Sequence, residues 1–258
     1  MTLDIHSILK SPLSQDFSQK ENGIFEYINP DFIIGDNKKY MGMYDKLARW
    51  YDFGEKWIGW LKYGNSIAKM RTHLMSQLEW KNNARVLYVS IGTGTDLQFI
   101  PKNIDLKTLD FVGLDISLGM LQKCQKKWNQ KTNLSLVHGS AEDLPFADNS
   151  FDVVFHSGGI NFFSDKAKAI SEMIRVAKPG TKILIADETA DYIDSQYKKS
   201  SFSKEYFDDA TFDLGEIENA IPNSVHEKNL ELCGTKNFTP SHSENKRPSR
   251  VFFMQDFQ

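Results

Sequence analysis

A chain of 258 residues, 40% hydrophobic and 25% charged, has the composition of a soluble globular protein and can bury the core of one α/β domain with an appendage, or of two small domains. Its net charge of −3 and the lack of a long basic run speak against a nucleic-acid partner, and no stretch reaches the roughly 18 apolar residues of a membrane span. The two cysteines, Cys124 and Cys233, lie far apart and outside any CxxC pair, which disfavours a zinc site and implies no disulfide framework.

The N-terminus carries Asp4 and His6 where a signal peptide has a basic start and an apolar block, so the reading is a cytoplasmic protein without a leader. Residues 1–39 are weakly patterned. Phe25 to Ile28 alternates as a short strand does, and Asn29-Pro30-Asp31 reads as a turn. Residues 40–80 look helical. Tyr40, Met43, Tyr44, Leu47, Trp50 and Tyr51 recur at three- and four-residue spacing, and Ile67, Met70, Leu74 and Leu78 repeat the pattern. Trp57, Trp60 and Leu61 continue the apolar theme between them. The aromatic stripe from Tyr40 to Tyr63 reads first as a packing face. Its alternatives are the wall of a pocket for an apolar or aromatic molecule, or a membrane-surface contact that the interleaved Asp45, Asp52 and Glu55 weaken.

From residue 85 the rhythm becomes strand, helix, strand, helix. The pattern predicts strands over 85–90, 110–115, 134–138, 151–156 and 181–187, and helices over 94–101, 117–130 and 165–177. Strands separated by helices of this length imply βαβ units and a parallel sheet. Lys178-Pro179-Gly180 makes a stop and a turn. Residues 189–222 read as a polar insertion over the sheet edge, and Val225–Cys233 and Arg250–Phe257 as closing strands with Thr239–Ser249 as their hairpin loop. The chain thus divides into an N-terminal extension and helical cap, 1–80, and an α/β domain, 81–258.

Chemistry concentrates where the first of these strands, Val86 to Val89, runs into Ser90-Ile91-Gly92-Thr93-Gly94 and a helix-like segment. Glycines at such a corner let the backbone approach a ligand that a Cβ would exclude, and a following helix start offers unpaired N–H groups to an anionic group. The next strand ends at Asp115, where a carboxylate can accept from both hydroxyls of a ribose. Together these read as a nucleoside-cofactor site. The plainer readings are a tight turn for the glycines and a helix cap for Asp115, although Ser117 offers an equally good cap. A dinucleotide fingerprint needs a third glycine where Leu97 stands, which argues against NAD or FAD and against a nicotinamide-dependent oxidoreductase.

Three later segments narrow the cofactor: His138-Gly139-Ser140-Ala141-Glu142-Asp143-Leu144-Pro145-Phe146, Asp148-Asn149-Ser150-Phe151-Asp152-Val153-Val154-Phe155, and Arg175-Val176-Ala177-Lys178-Pro179-Gly180. With them the sequence, over about residues 40 to 190, resembles the class I S-adenosylmethionine (SAM)-dependent methyltransferases, most of all the group containing the ubiquinone/menaquinone-biosynthesis C-methyltransferases. The resemblance implies a Rossmann-like α/β fold: a seven-stranded, mostly parallel sheet with an antiparallel last strand, plus the helical cap. It implies that the backbone of Ser90, Gly92, Thr93 and Gly94 lines the methionine part of S-adenosyl-L-methionine, that Asp115 holds the ribose diol with Ile116 against the adenine, and that Ser140 and Ala141 sit at the adenine edge. His156 and Ser157 would lie near the sulfonium, and Tyr51, from a Tyr-Asp pair, would close over the cofactor.

Two positions depart from the family pattern. Tyr88 stands where an acid usually helps bind the cofactor's amino group, and Ser140 often stands as Asp near the adenine amine. Ile8 to Leu13 resembles small zinc-ribbon modules that precede some of these enzymes, without the cysteines; a module so derived holds no metal. The expected reaction is methyl transfer to a small-molecule acceptor, leaving S-adenosyl-L-homocysteine, with His156, Glu188 or Tyr51 as proton acceptor if one is needed. The rivals are O- or N-methylation of a specialised metabolite, and a SAM-binding protein with lost activity, motivated by Tyr88 and Ser140. Asp187-Glu188 reads either as a strand end at the sheet rim or as part of the site, Gly158-Gly159 as a turn that leaves room for substrate, and Lys123, Lys126 and Lys127 as a solvated helix face.

Overall fold

The computed structural model describes residues 3–48, 65–188, 214–223, 225, 227–234 and 248–255. Along the chain the strands are β1 (Ser18–Gln19), β2 (Phe25–Tyr27), β3 (Arg85–Val89), β4 (Asp110–Asp115), β5 (Asn133–Gly139), β6 (Val153–Ser157), β7 (Ile183–Glu188), β8 (Glu227–Gly234) and β9 (Pro248–Gln255). The described helices are α1 (Gly35–Leu47), α2 (Ser66–Ser76), α3 (Leu118–Trp128), α4 (Lys166–Val176) and α5 (Leu214–Ala220).

All of these strands join one sheet in the order β1-β2-β5-β4-β3-β6-β7-β9-β8. The segment β5-β4-β3-β6-β7 is parallel throughout, and β9 runs antiparallel to both β7 and β8. Seven strands therefore make the mostly parallel sheet with an antiparallel last strand that the sequence leads one to expect. Two short N-terminal strands extend it: β2 pairs in parallel with β5, and β1 pairs antiparallel with β2.

The central strands are near-continuous apolar runs because both sheet faces are covered. Side chains alternate between the faces. Leu87, Val89, Val112, Leu114, Val154, Ile183 and Ile185 share one core with Ala169, Ile170, Met173 and Val176 of α4. Val86, Tyr88, Phe111, Val153, Phe155 and Leu184 share the other with Leu74 and Met75 of α2 and with Leu121, Cys124 and Trp128 of α3. Each such fully buried large side chain contributes roughly 1.5–3 kcal/mol. Ser117 caps α3 by accepting from the amide of Met120, and Asp165 caps α4 by accepting from that of Lys168.

Several boundaries differ from the expected ones. In place of a helix over 94–101 the chain makes a 3-10 turn, Thr95–Phe99. Ile100 is already extended before Pro101, and a residue preceding proline is pushed out of the helical region. The helical stretch expected over 40–80 begins earlier, with α1 at Gly35, and α2 ends before the buried Leu78. Trp50, Tyr51, Trp57, Trp60 and Leu61 lie outside the described residues, as do most of the insertion 189–222, where α5 is described, and the hairpin loop up to residue 247. Cys124 is buried. Among the described residues no group of three or more His, Cys, Asp or Glu is placed to hold a metal ion, and no helix is long and apolar enough to cross a membrane.

Candidate functional site

The sheet order reverses direction between β3 and β6, and the ends of parallel strands at such a point leave a crevice. Val89, the last residue of β3, stands beside Leu114 of β4 and His156 of β6, and Asp115 stands beside His138 of β5. The sequence-predicted residues Ser90–Gly94, Asp115–Ile116, Ser140–Ala141 and His156–Ser157 therefore all emerge from one end of four adjacent strands.

Beyond β3 the chain bends through three residues with positive φ: Ser90 (57°), Gly92 (55°) and Gly94 (71°). The two glycines serve different ends. A Cβ at Gly92 would meet nothing within 4 Å, so the space beside it is open. A Cβ at Gly94 would lie 2.8 Å from the Trp128 ring and 2.9 Å from Cys124 Sγ, so α3 fills that side. The amide of Gly92 donates to Asp115 Oδ2 (2.8 Å) and that of Ser117 to Oδ1 (2.8 Å).

Asp115 is 8% exposed. Burial pushes its carboxyl up to about 6, against the pull of the Ser117, Gly92 and Ile116 amides, and the charge of Asp45 adds to the rise. A buried carboxylate in this condition gains from further donors. Each oxygen accepts one of the two amide bonds just described and keeps capacity for a hydroxyl. Because Ser117 supplies the α3 cap, Asp115 is not needed for it. An open glycine corner beside an under-donated acid fits the ribose of an adenosyl group. Ile116 is half-buried, and its carbonyl accepts from His138 Nε2 (3.1 Å), which fixes the backbone there.

Both departures from the family pattern find a neighbouring acid. The Tyr88 hydroxyl donates to Asp96 Oδ2 (2.5 Å), and Arg71 of α2 pairs with Asp96 Oδ1 (2.5 Å). The Ser140 hydroxyl donates to Glu142, whose other oxygen accepts from Asn37 Nδ2 (2.8 Å) and the Asp165 amide (3.2 Å). Ser140 thus turns into its own loop, and Ala141 beside it is buried. Glu142 was legible only as a member of the motif from His138 to Phe146, and Asp96 only as a residue just past the glycine corner; nothing in their spacing marked them as partners of Tyr88 and Ser140.

At the end of β6, His156 is fully buried. Its Nδ1 lies 3.2 Å from the Val89 carbonyl oxygen, which can only accept, so Nδ1 carries the hydrogen. Burial pushes the ring down to about 4, outweighing the Val89 carbonyl and the charge of Asp96. The neutral ring therefore keeps a bare Nε2, without a hydrogen-bond partner among the described residues. Phe163 packs edge-on against it at 5.2 Å.

Ser157 is half-buried at the strand end, and the turn after it is held from β7: Asp187 accepts from the amides of Gly159 (3.0 Å) and Asn161 (2.9 Å). That turn presents Phe162, on which Tyr40 (4.5 Å) and Tyr44 (6.4 Å) of α1 lie. Burial, followed by the charge of Asp36, raises the Tyr40 phenol well above its usual range. The same helix reaches α3: Asp45 Oδ1 accepts from Ser117 Oγ (2.6 Å) and the Gly119 amide (3.0 Å). Of the remaining predicted residues, Thr93 is buried, with its hydroxyl 3.1 Å from that of Thr95. The Glu188 backbone pairs with Ser249 while its side chain lies outside the described residues, and so does all of Tyr51.

A family model described as a methyltransferase domain matches residues 87–185, the span from β3 to β7. A demethylmenaquinone methyltransferase of Bacillus licheniformis is 30% identical over 166 residues, covering 64% of this chain and 67% of that protein. A demethylmenaquinone methyltransferase of Renibacterium salmoninarum is 42% identical over 103 residues, 40% of each chain. The chain spans 40% to 63% of the length of the first three curated relatives it matches. Among solved structures, phosphoethanolamine N-methyltransferase 2 of Haemonchus contortus, in complex with S-adenosyl-L-methionine, superimposes with a TM-score of 0.56 at 19% identity, over 74% of this chain and 53% of that one. At that identity the likeness is one of fold.

Proposed function

Because the chain belongs to the class I SAM-dependent methyltransferases, in the group that contains the ubiquinone/menaquinone-biosynthesis C-methyltransferases, we propose that it methylates a small apolar or aromatic acceptor in the cytoplasm. The observation that carries this reading is Asp115, a buried carboxylate held up to about 6 beside an open glycine corner. When bound, S-adenosyl-L-methionine supplies an electrophilic methyl on a sulfonium, leaving S-adenosyl-L-homocysteine. The protein's task is to bind, to orient and to keep water out, and orientation alone can contribute on the order of 7–11 kcal/mol.

In this reading Asp115 accepts from the ribose hydroxyls. The open side of Gly92 admits the chain of the cofactor, and the Ala141 amide faces the adenine edge. Phe162 with Tyr40 and Tyr44 forms the apolar wall against which the acceptor lies. A planar ring packs on such a wall by offset or edge contact, which favours an apolar or aromatic acceptor over a small polar amine. His156, neutral throughout the physiological range, offers its bare Nε2 as an acceptor for an acidic hydrogen of the substrate; Glu188 and Tyr51 are the other candidates for that role. A SAM-binding protein without activity is less favoured, since Asp96 and Glu142 stand hydrogen-bonded to the two departing side chains.

Titration of the purified chain with S-adenosyl-L-methionine and with NAD, followed by a transfer assay with isotope-labelled methyl over a panel of apolar ring compounds and polar amines, tests this. Binding of the first ligand in the micromolar-to-millimolar range usual for enzymes, with label on a ring compound, is expected. Binding of NAD alone, or label confined to amines, would reject the cofactor or the acceptor class respectively.

A further inference from the structure

The residues before α1 are built into the sheet. β2 runs alongside β5 with Tyr27 opposite Gly139, so close that a Cβ on Gly139 would sit 2.9 Å from the Tyr27 carbonyl oxygen. Further back, Leu9 bridges Phe146. The Ala147 amide donates to the Ile8 carbonyl (2.8 Å) and the Lys10 amide to that of Pro145 (2.9 Å). Ile5, Ile8, Phe17, Phe25 and Tyr27 share a core with Ala141, Leu144 and Phe146.

Between these two ladders lies the loop Ser140–Asp143. Asp143, 7% exposed, accepts from Lys10 Nζ (2.6 Å), Ser14 Oγ (2.7 Å), Asn29 Nδ2 (3.3 Å) and Tyr27 OH (3.4 Å). All four donors come from residues 10–29. Burial alone would raise this carboxyl; the bonds from Lys10, Ser14 and Asn29 overcome it and hold the group below the usual carboxylate range. Nothing in methyl transfer calls for a carboxylate at this place. What the arrangement does is tie down the loop that begins two residues upstream, at Ala141.

We propose that the N-terminal segment, residues 4–29, is a working part of the cofactor site, and that Asp143, gripped by Lys10, Ser14, Tyr27 and Asn29, is a positioning residue that sets the Ser140–Ala141 backbone for the adenine ring. This rests on the methyltransferase reading above. It makes cofactor affinity depend on side chains that do not touch the cofactor.

The test uses the full chain and three variants, Lys10→Met, Asp143→Asn and Lys10→Arg. Each is titrated with S-adenosyl-L-methionine and with 5′-methylthioadenosine, at a temperature where circular dichroism shows it folded. Lys10→Met and Asp143→Asn should weaken both ligands alike, by roughly tenfold, the scale of one lost hydrogen bond to a charged group. Lys10→Arg, which keeps the ion pair, should retain affinity. Should Asp143→Asn fail to fold, Lys10→Met carries the test, since it keeps the aliphatic stem of a half-buried side chain. Wild-type affinity in Lys10→Met with a lowered melting temperature overturns the inference and leaves the enzyme assignment standing. Absence of S-adenosyl-L-methionine binding by the unmodified chain overturns that assignment, and the inference with it.

Discussion

Asp115 bears two opposed demands. Its folded carboxyl titrates near 6, above its ordinary 3.8, so the folded state favours the protonated form. What it contributes to stability is present at low pH and is lost as pH rises through about 6. Ribose hydroxyls donate to the charged form and reverse that preference. Affinity for S-adenosyl-L-methionine should therefore fall below pH 6, approaching tenfold per pH unit. Binding at pH 6 should release protons, which calorimetry in two buffers of different ionisation enthalpy will register. Asp115→Ala should cost about a hundredfold in affinity, two hydrogen bonds to a charged group, with far-ultraviolet circular dichroism unchanged; undiminished binding would reject the ribose role. Asp115 was legible in the sequence because its signal is local: a strand end, then Ile-Ser, then an amphipathic helix. Asp45, Asp96 and Glu142 were not, since each acts on a partner brought near by the fold, such as Ser117, Tyr88 or Asn37; Asp187 was legible only as one of two readings, a strand end or part of the site, and its hold on Gly159 came from the fold.

The corner after β3 separates two kinds of glycine that look alike in sequence. Gly92→Ala places a methyl in open space at φ 55°. It should cost roughly 1–2 kcal/mol for the left-handed backbone and chiefly block the cofactor. Gly94→Ala drives a methyl into Trp128 and Cys124 and should cost about 2–5 kcal/mol, backbone strain plus overpacking. Thermal melts paired with cofactor titration distinguish them: Gly92→Ala should lose binding more than stability, Gly94→Ala the reverse. The parallel strands could be placed within about two residues from apolar runs alone, because burial on both faces leaves little room for polar residues. The shortest elements were harder. β2 showed as the alternation that starts at Phe25, but a strand of two residues such as β1 has no period to detect, and pairing of β2 with β5 across more than a hundred residues leaves no mark in local composition. The 3-10 turn at Thr95–Phe99 escaped because five residues between Gly94 and Ile100 carry the same apolar spacing as a helix start.

Over the whole molecule, two buried titrations nearly offset. His156 is held down to about 4; its contribution to stability is complete above 6.5 and is lost as pH falls through 4. Asp115 moves the opposite way over almost the same interval. Each is worth about 3 kcal/mol over its full range. Melting temperature from this pair should stay nearly level between pH 6.5 and 4.5. Asp115→Asn should restore a steep acid loss, and His156→Gln should make the chain more stable as pH falls; parallel slopes in both variants would reject the pairing. Family and fold were visible across 87–185 because the motif order is carried by strand ends, whereas the acceptor's identity depends on a wall assembled from α1 and the turn after β6.

At the flank of the sheet beyond β5 the outermost strand, β1, is two residues long, and it pairs with the three residues of β2. Parallel rows of backbone amides and carbonyls are a template on which a neighbouring polypeptide can add itself rung by rung. By tapering from seven residues at β5 to three and then two, this flank ends in a stub too narrow to recruit another molecule. The taper acts as a guard against fibre growth from that side.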